Sequence, residues 1–413
     1  MNNGDFETVV IGGGAAGIAA ARRLTQSEVN CLIVEARPRL GGRAWTVTDP
    51  SGFAIDLGCG WLHSADRNPW VPIAEEQGRT IDKTPPPWRR PSLPQGFPVG
   101  RQREFLKAQE EFFSRVSERA QREPDVAAAT LLLPDCPWNN LINAIGTYIS
   151  GAEFDRVSAL DFDNFDDTGV NWRIVEGYGT TIAACGHALP NVLDCPVTRI
   201  DHSASRLKIE TARGTIVADQ AIVTIPTNVL AQTENLFAPL LPEKTQAAQN
   251  LPLGLADKLF LALDRADEFE TDSRMFGATD KIGTATYHFR PFGRSQIEVY
   301  FGGRHAANLE AGGDSAFFDF AASELTGLLG SDFARRVKPI HIHRWAADPF
   351  ARGSYSYALP GMADCRATLA VPVDDRLFFA GEACSTGDFS TAHGAWVTGV
   401  AAADQVIRAR LRN

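Results

Sequence analysis

The sequence predicts an α/β protein in which a Rossmann-like domain is interleaved with a smaller α+β domain, built on a mixed sheet with helices. Three observations support this fold class. The chain opens with an apolar strand, a glycine-rich turn and an alanine-rich helix, followed by a second apolar strand. It has 413 residues, which is more than one hydrophobic core usually holds. Further strands and helices alternate in its second half, so a second sheet is expected.

The N-terminal segment has the pattern of a βαβ unit. Strand Thr8–Ile11 leads into IGGGAAG, a helix follows, and Asn30–Ala36 is a second buried strand. Strand, helix and strand within about thirty residues predict two parallel strands joined by a right-handed crossover. In the G-x-G-x-x-G spacing, Gly12 permits the tight turn, Gly14 lets a pyrophosphate approach the backbone, and Gly17 allows close packing of helix and sheet.

Glu35 distinguishes this turn from a glycine-rich turn that binds nothing. It lies eighteen residues after Gly17, at the end of the second strand. A carboxylate at this position accepts hydrogen bonds from the ribose hydroxyls of an adenosine. The helix N-terminus supplies N–H groups and a partial positive charge to the phosphates. The sequence therefore predicts a bound adenine dinucleotide.

The rest of the chain predicts more strands and helices in alternation. A proline-rich stretch at 84–100 breaks the regular structure and marks an exit from the first domain. Alternating apolar residues indicate strands, and longer amphipathic runs indicate helices. The predicted strands are 257–264, 295–303, 336–345 and 375–383, together with a hairpin and buried strand at 206–226. The predicted helices are 104–122, 314–330 and 392–410.

Composition excludes several functional classes. Forty basic against fifty acidic residues give a net charge of −10, which is the wrong sign for a nucleic-acid-binding protein. No apolar run reaches the roughly 18 residues of a membrane-spanning helix, and no secretory signal is expected before the glycine turn. The seven cysteines are odd in number and form no C-x-x-C pair, which predicts reduced thiols, a cytoplasmic setting and no metal site.

Seven sequence blocks resemble the flavin-containing amine oxidase superfamily, in the order that is usual for that family. The segment EARPRLGGRAWT, which begins at Glu35, resembles the family's second fingerprint, and IDLGCGWLH resembles its flavin-contacting loop. The resemblance continues to the C-terminus through VEGYGTTIAAC, CPVTRI, ADQAIVTIPTNVL, RWAADPFARGSYSY and LFFAGEACSTGDFSTAHGAWVTG. Because the blocks span nearly the whole chain, the resemblance implies that the dinucleotide is FAD.

The resemblance also implies cofactor contacts along the chain. Arg43 matches a pyrophosphate and flavin contact, Val197 an adenine contact, and Glu382 the acid at the sugar-like chain of the flavin. The helix that begins near Thr391 would direct N–H groups to the flavin C2 carbonyl and N1. Ser354 stands where relatives with covalently tethered flavin carry cysteine, so FAD is predicted to be non-covalent. The complete predicted set is Gly12, Gly14, Ala16, Gly17, Glu35, Ala36, Arg37, Gly42, Arg43, Gly58, Cys59, Gly60, Trp61, Val197, Trp345, Gly381, Glu382, Thr391 and Ala392.

Lys258 is the first of three residues that the resemblance implies to be catalytic. In the family, a lysine on a strand of the substrate domain meets flavin N5 through a water, and Lys258 in ADKLFLALD occupies that position. It would assist proton movement or oxygen activation. The alternative is a lysine at a strand edge, paired with Asp257 or Asp264.

His63 and Tyr355 complete the predicted catalytic set. His63 in GWLH resembles the histidine with which animal-type polyamine oxidases orient the amine, although a loop histidine bonded to backbone fits the pattern equally well. Tyr355 corresponds to one wall of the aromatic cage in monoamine oxidases. Thr391 stands where those enzymes have the tyrosine of the second wall, so that wall is missing here. Trp61 and Trp396 are expected to line the remaining cavity.

The predicted elements divide the chain into two interleaved domains. An FAD-binding domain is expected from residues 1–75, 170–256 and 345–413, and a substrate-binding domain from 76–169 and 257–344.

The resemblance implies a FAD-dependent amine oxidase, which converts a primary or secondary amine to an imine and reduces molecular oxygen to hydrogen peroxide. A diamine or polyamine is favoured, and the acidic segment 159–169 offers four carboxylates for a distal ammonium, although a solvated acidic loop is the favoured account of them. An L-amino-acid oxidase stays open, with Arg89, Arg90 and Arg173 as candidate carboxylate ligands. A flavin desaturase or a non-catalytic flavoprotein on the same scaffold also stays open, as does a homodimer.

Overall fold

The structure is a computed structural model that describes residues 6–412. The strands are β1 (Phe6–Ile11), β2 (Cys31–Val34), β3 (Thr46–Thr48), β4 (Ala54–Asp56), β5 (Ile81–Asp82), β6 (Arg173–Ile174), β7 (Asn191–Val192), β8 (Val197–Asp201), β9 (Leu207–Thr211), β10 (Gly214–Val223), β11 (Phe237–Ala238), β12 (Ala256–Leu263), β13 (Ser273–Phe276), β14 (Thr286–Phe289), β15 (Gln296–Gly302), β16 (Val337–Ile342) and β17 (Leu377–Phe379). The α-helices are α1 (Ala15–Gln26), α2 (Trp70–Glu76), α3 (Val99–Ala120), α4 (Asn139–Ser150), α5 (Ala159–Asp163), α6 (Tyr178–Gly186), α7 (Thr227–Gln232), α8 (Pro242–Asn250), α9 (Gly303–Gly312), α10 (Asp314–Leu329), α11 (Cys365–Ala370) and α12 (Ala392–Arg412).

The larger sheet has the strand order β11-β8-β9-β10-β1-β2-β7, and β17 also pairs with β10. Strand β1 lies parallel to β2, with Thr8 opposite Cys31 and Ile11 opposite Val34. The predicted βαβ unit is therefore confirmed. Strand β10 pairs with β9 as a hairpin in its first half and with β1 in its second half. The second arm of the hairpin predicted at 206–226 and the buried strand that follows it are therefore one continuous strand.

Two helices, α1 and α12, pack very closely on one face of this sheet. A Cβ added to Gly17 in α1 would lie 1.9 Å from the carbonyl oxygen of Gly12. A Cβ added to Gly399 in α12 would lie 2.2 Å from the carbonyl oxygen of Ala16. Glycine at these positions lets α1 pack on β1 and α12 pack on α1, so both helices begin at the same end of the sheet.

The smaller sheet has the strand order β13-β14-β15-β12-β16. All its pairings are antiparallel, and β13, β14 and β15 follow one another in sequence through short connections. The mixed pairing expected here is found in the larger sheet instead. Strands β13 and β14 were not predicted from the sequence.

The two faces of the smaller sheet differ in chemistry. One face carries apolar side chains such as Leu261 and Val299, which pack against Phe317 and Leu325 of α10. Because side chains alternate along a strand, the residues between them point to the opposite face. That face carries polar residues of β12 to β15, among them Lys258, which line a cavity shared with the glycine turn after β1.

Most predicted elements differ from the structure only at their ends. The helix predicted at 104–122 begins at Val99, directly after Pro98. Proline, which has no N–H, fits at this position because the N–H groups at the start of a helix have no partner within the helix. The strand predicted at 336–345 ends at Ile342. Beyond it, the Trp345 backbone N–H donates to Asp257 and the indole N–H donates to Leu57, so the chain leaves the ladder. The strands of the smaller sheet lie between residues 256 and 342, and the predicted domain boundaries stay a prediction. Between residues 6 and 412, no helix is long and apolar enough to cross a bilayer.

Candidate active site

A cavity of about 940 Å³ is lined by residues from both sheets. Its lining includes the glycine turn after β1, the loop 57–63, the N-terminus of α12 and the polar face of the smaller sheet. All residues predicted from the sequence as cofactor-binding or catalytic line this cavity, with the exception of Gly17. Gly17 instead lies under the turn, where it permits the close packing described above.

The glycine turn and Glu35 form one end of the cavity. Gly12 has a φ of +107°, which favours glycine, while a Cβ on Gly14 would touch only Gly42 at 3.8 Å and would otherwise extend into open space. Glu35 is buried, and its carboxylate accepts hydrogen bonds from the backbone N–H groups of Gly13 at 2.6 Å and Arg37 at 2.8 Å. Each carboxylate oxygen keeps a second lone pair. The turn, the bare Gly14 and the fixed carboxylate fit an adenine dinucleotide.

The N-termini of α1 and α12 both reach the cavity. Ala15 and Ala16 begin α1, and Ala392 begins α12. Thr391 caps α12, because its hydroxyl accepts a hydrogen bond of 2.9 Å from the Gly394 N–H. Two helix N-termini supply partial positive charge and free N–H groups, which suit the anionic parts of a dinucleotide.

Arg43 and Glu382 form an ion pair inside the same cavity wall. The Arg43 guanidinium donates to Glu382 at 2.9 Å and to the Ser354 carbonyl at 2.8 Å. The other carboxylate oxygen of Glu382 accepts from the Ser356 hydroxyl at 2.6 Å. Burial works to raise the pKa of Glu382, but Arg43 and Ser356 hold the pKa below its usual range. Glu382 is thus an ionised, fixed acceptor.

Other predicted cofactor residues hold the walls together. Arg37 pairs with Asp348 at 2.7 Å, and Val197 begins β8 at the nucleotide end. A Cβ on Gly58 would lie 1.7 Å from the Arg43 carbonyl oxygen, so this loop tolerates no side chain there. Burial raises the pKa of the Cys59 thiol to about 12, so Cys59 is a neutral thiol at physiological pH.

Lys258 is buried in β12, which is not an edge strand. Its ammonium donates to the Asp56 carbonyl at 2.6 Å and to Glu298 at 3.1 Å. The alternative pairing with Asp257 or Asp264 is therefore wrong: Asp257 points to the opposite face of β12, and Asp264 lies beyond the end of the strand, six residues from Lys258. An ammonium has three N–H donors, so one remains for a ligand or water in the cavity.

Behind Lys258, buried charges continue away from the cavity. Glu298 contacts His288 at 3.6 Å, and His288 contacts Asp272 at 2.9 Å. Asp272 also pairs with Arg173 at 2.9 Å, and Arg173 pairs in turn with Asp82 at 2.6 Å. Arg173 is thus paired with two carboxylates through one guanidinium nitrogen, and it does not line the cavity. Neither Arg89 nor Arg90, the other candidates for a substrate carboxylate, lines it.

His63 faces the cavity from the loop after β4. Its Nδ1 lies 2.6 Å from Asn171 Oδ1, so a neutral ring donates there and keeps Nε2 as an acceptor. Burial lowers the pKa of His63 below its ordinary value of 6.5, with Asp167 and Asn171 acting in the opposite direction. His63 is accordingly a neutral hydrogen-bond acceptor at pH 7.

Aromatic side chains line the middle of the cavity. Tyr355 donates its hydroxyl to the Tyr148 carbonyl at 2.5 Å, and burial raises the pKa of Tyr355. Trp61 lies against Trp88 with a ring separation of 4.5 Å. The prediction for Trp396 is wrong, because α12 turns this ring away from the cavity.

Trp396 packs instead on Trp70, with ring centroids 4.6 Å apart, inside the core of the larger domain. Ala392 and Ala395 of the same helix line the cavity, whereas the Trp396 ring is held by its contact with Trp70.

Sequence reasoning missed several residues of this site. Glu298 and Tyr300 lie two positions apart in β15, so their shared face was readable from IEVYF. Arg274 lies in β13, for which no strand was predicted, and its face could not be assigned. Asn171 lies outside any regular element and carries no signal in a single sequence.

The chain belongs to the family described as flavin containing amine oxidoreductase, whose sequence profile matches residues 15–115 and 159–407. This match agrees with the fold and with the cavity described above. The protein is a flavin-dependent amine oxidoreductase.

Its relatives include enzymes named for polyamines. Polyamine oxidase 4 of Oryza sativa subsp. japonica is 30% identical over 433 residues, which cover 96% of this chain and 88% of that protein. Polyamine oxidase 2 of Arabidopsis thaliana is 28% identical over 435 residues, covering 96% of this chain and 87% of that protein. A solved double mutant of putrescine oxidase with redesigned cofactor binding matches with a TM-score of 0.80, 17% identity and coverage of 98% of this chain and 99% of that chain. The structural match supports the fold.

Proposed function

We propose that the protein is a FAD-dependent amine oxidase that binds FAD without a covalent bond. Bound FAD would accept a hydride equivalent from the carbon beside the amine nitrogen, and molecular oxygen would regenerate it with release of hydrogen peroxide. Water then hydrolyses the imine. The observation that carries this proposal is one cavity that joins the dinucleotide turn to Lys258, His63 and Tyr355.

The amine must be neutral to react, because only the neutral form has a free lone pair. An alkylamine with a pKa near 10.4 is only about one part in a thousand neutral at pH 7, a cost of about 4 kcal/mol. A cavity lined by aromatic side chains such as Trp61 and Tyr355 offsets much of this cost, since burial disfavours an ammonium. No dedicated strong base is then required.

His63 and Lys258 take different roles in this proposal. The neutral His63 ring accepts a hydrogen bond from the amine N–H and orients the reacting carbon. Lys258 uses its remaining N–H to hold a water and to assist the reaction with oxygen. Its carbonyl and carboxylate partners keep the ammonium in place.

A diamine or polyamine is the substrate class favoured by the sequence, and the polyamine oxidase relatives support it. Of the predicted acids, Asp161 pairs with Arg366 and Asp166 pairs with Arg67. Asp167 is exposed and lines the cavity, so it is the acid available to a distal ammonium. An amino-acid substrate is the second candidate, because the unpaired Arg274 also lines the cavity.

An oxygen-electrode assay tests the proposal on the purified, FAD-loaded protein. Monoamines, diamines, polyamines and L-amino acids are offered in turn, and oxygen uptake and peroxide are measured. An absorption spectrum before and after denaturation reports whether flavin is bound and whether it is released. A protein that takes up no flavin, or that consumes no oxygen with any amine, contradicts the proposal.

The division into two domains, the homodimer and the cytoplasmic setting stay proposals. The free state of the seven cysteines supports the cytoplasmic setting. Size-exclusion chromatography with light scattering tests the oligomeric state.

A further inference from the structure

Arg274 in β13 is a cavity-lining arginine without an acidic partner. Its guanidinium carbon lies 4.4 Å from the centre of the Phe276 ring, which gives a cation–π contact. Its Nε is buried and has no hydrogen-bond partner. Within residues 6–412, no ion pair or hydrogen bond reaches its guanidinium nitrogens. The half-buried guanidinium therefore lacks the anion that usually accompanies a charge removed from water.

The other arginines of the cavity wall are satisfied within the protein. Arg37 pairs with Asp348, Arg43 with Glu382, and Arg352 donates to Gln232. Burial lowers the pKa of Arg274 to about 10, because removal from water disfavours the charged form. A guanidinium at pH 7 remains charged even so, and it presents two parallel N–H donors that match a carboxylate.

Arg274 lies on the same face of the smaller sheet as Lys258. The pairings place Arg274 beside His288, and the next row of the same face runs from Phe276 through Thr286 and Tyr300 to Lys258. Strands β13 and β12 are three strand spacings apart, which is about 14 Å. Arg274 therefore lines the cavity at a distance of three strands from Lys258.

We propose that Arg274 binds a carboxylate at the distal end of the substrate, whose amine is oxidised at the Lys258 end. The proposal rests on the proposed amine oxidation and develops its second candidate substrate in place of the diamine or polyamine: an aliphatic chain amine that ends in a carboxylate. A second ammonium at the same place would meet the guanidinium charge in an apolar cavity and be repelled. An α-amino acid is too short to reach both ends.

Three substrates of equal chain length separate the alternatives: n-octylamine, 1,8-diaminooctane and 8-aminooctanoate. Oxygen uptake by the FAD-loaded enzyme gives kcat/KM for each. We expect 8-aminooctanoate to exceed 1,8-diaminooctane by about 10²-fold, the scale of a charge-assisted hydrogen-bond pair. L-Leucine should not be oxidised at a comparable rate. A diamine that is preferred to the amino acid overturns the proposal and leaves amine oxidation standing.

Arg274→Gln tests the residue itself. It should lower kcat/KM for 8-aminooctanoate by about 10²-fold and change that for n-octylamine by less than about threefold. Arg335→Gln is the matched control, since its side chain is 75% exposed and far from the cavity lining. Arg274→Lys keeps the charge and should retain part of the preference, which guards against a variant that is merely misfolded.

A binding measurement is independent of catalysis. Calorimetric titration of the FAD-loaded protein with octanoate, which cannot be oxidised as an amine, should give a dissociation constant that rises about 10²-fold in Arg274→Gln and is unchanged in Arg335→Gln. If no amine reduces the flavin but octanoate binds in this way, the carboxylate site stands and the proposed oxidation fails. Equal octanoate binding by the wild type and Arg274→Gln overturns the inference.

Discussion

Glu298 offers the sharpest test of how the buried charges act. Its carboxylate accepts hydrogen bonds from Lys258 at 3.1 Å and from the Tyr300 hydroxyl at 2.9 Å, and its side chain is 12% exposed. Glu298→Gln keeps the shape of the side chain and removes the charge. It leaves the Lys258 ammonium buried without a counter-ion, which is the costly way to break an ion pair.

The pKa of Glu298 gives the magnitude. Burial works to raise this pKa, but the charge of Lys258 and the contact with His288 hold the pKa at about 2, against an ordinary value of 4.5. At about 1.36 kcal/mol per unit, the difference corresponds to about 3 kcal/mol of stability at pH 7. Because the pKa is lower in the folded state, this stability is present above pH 4.5. It falls by about 1.4 kcal/mol per pH unit as the pH drops from 4.5 towards 2.

Urea unfolding followed by tryptophan fluorescence measures the effect at equal FAD concentration, since bound ligand adds to stability. We expect Glu298→Gln to lose about 3 kcal/mol at pH 7 and clearly less at pH 3.5. Combining it with Lys258→Met closes a double-mutant cycle, and the two losses should not add, because both break the same pair. A loss that is independent of pH, or additive losses, would refute the assignment of this stability to the ion pair.

Three further predictions concern the site. Lys258→Met should slow turnover by about 10²-fold or more while the absorption spectrum still shows bound flavin; unchanged turnover contradicts its role. Since the pKa of His63 lies below 6.5, kcat/KM should fall more steeply below that value than protonation of the substrate amine alone requires, and His63→Gln should remove this additional fall. Gly17→Ala places a Cβ 1.9 Å from the Gly12 carbonyl oxygen and should cost about 1–3 kcal/mol of stability. Gly14→Ala meets no such contact, so it should leave stability unchanged and weaken FAD binding, measured by flavin fluorescence.

The larger domain could be predicted well because its signals are local. The turn from Gly12 to Gly17 and the acid Glu35 act through backbone geometry within one βαβ unit, and the structure has them where the spacing placed them. The short strands β13 and β14 gave no comparable signal. Their four residues each are too few for a period, and pairing with β15 decides their structure.

A site residue could be predicted only where its own type and its position in the sequence were enough to identify it. Lys258 stood out as a charge on an apolar strand, but its partner Glu298 lies forty residues away and is brought next to it by strand pairing. The orientation of Trp396 depends on how α12 lies on α1, which the sequence does not state. Arg274 was missed for the same reason, because its role is inferred from the absence of an acidic side chain beside it, which only the structure shows.

The loop that carries Gly58 to His63 shows how the two sheets contribute to one site. Three side chains from the smaller sheet and its flanks donate to the backbone just before this loop: Arg294 to Ala54 at 2.6 Å, Lys258 to Asp56 at 2.6 Å, and Trp345 to Leu57 at 3.2 Å.

These donors satisfy carbonyl groups that the short pair of β3 and β4 leaves free. The position of the loop is therefore fixed by side chains of the smaller sheet and its flanks. Lys258 therefore has two duties, one in the cavity and one in holding the loop. A loss of turnover in Lys258→Met alone does not separate them. The variant that does is Arg294→Met, which removes one loop contact from outside the cavity lining and keeps the ammonium: if it reproduces the Lys258→Met defect, the lysine acts by position rather than by chemistry.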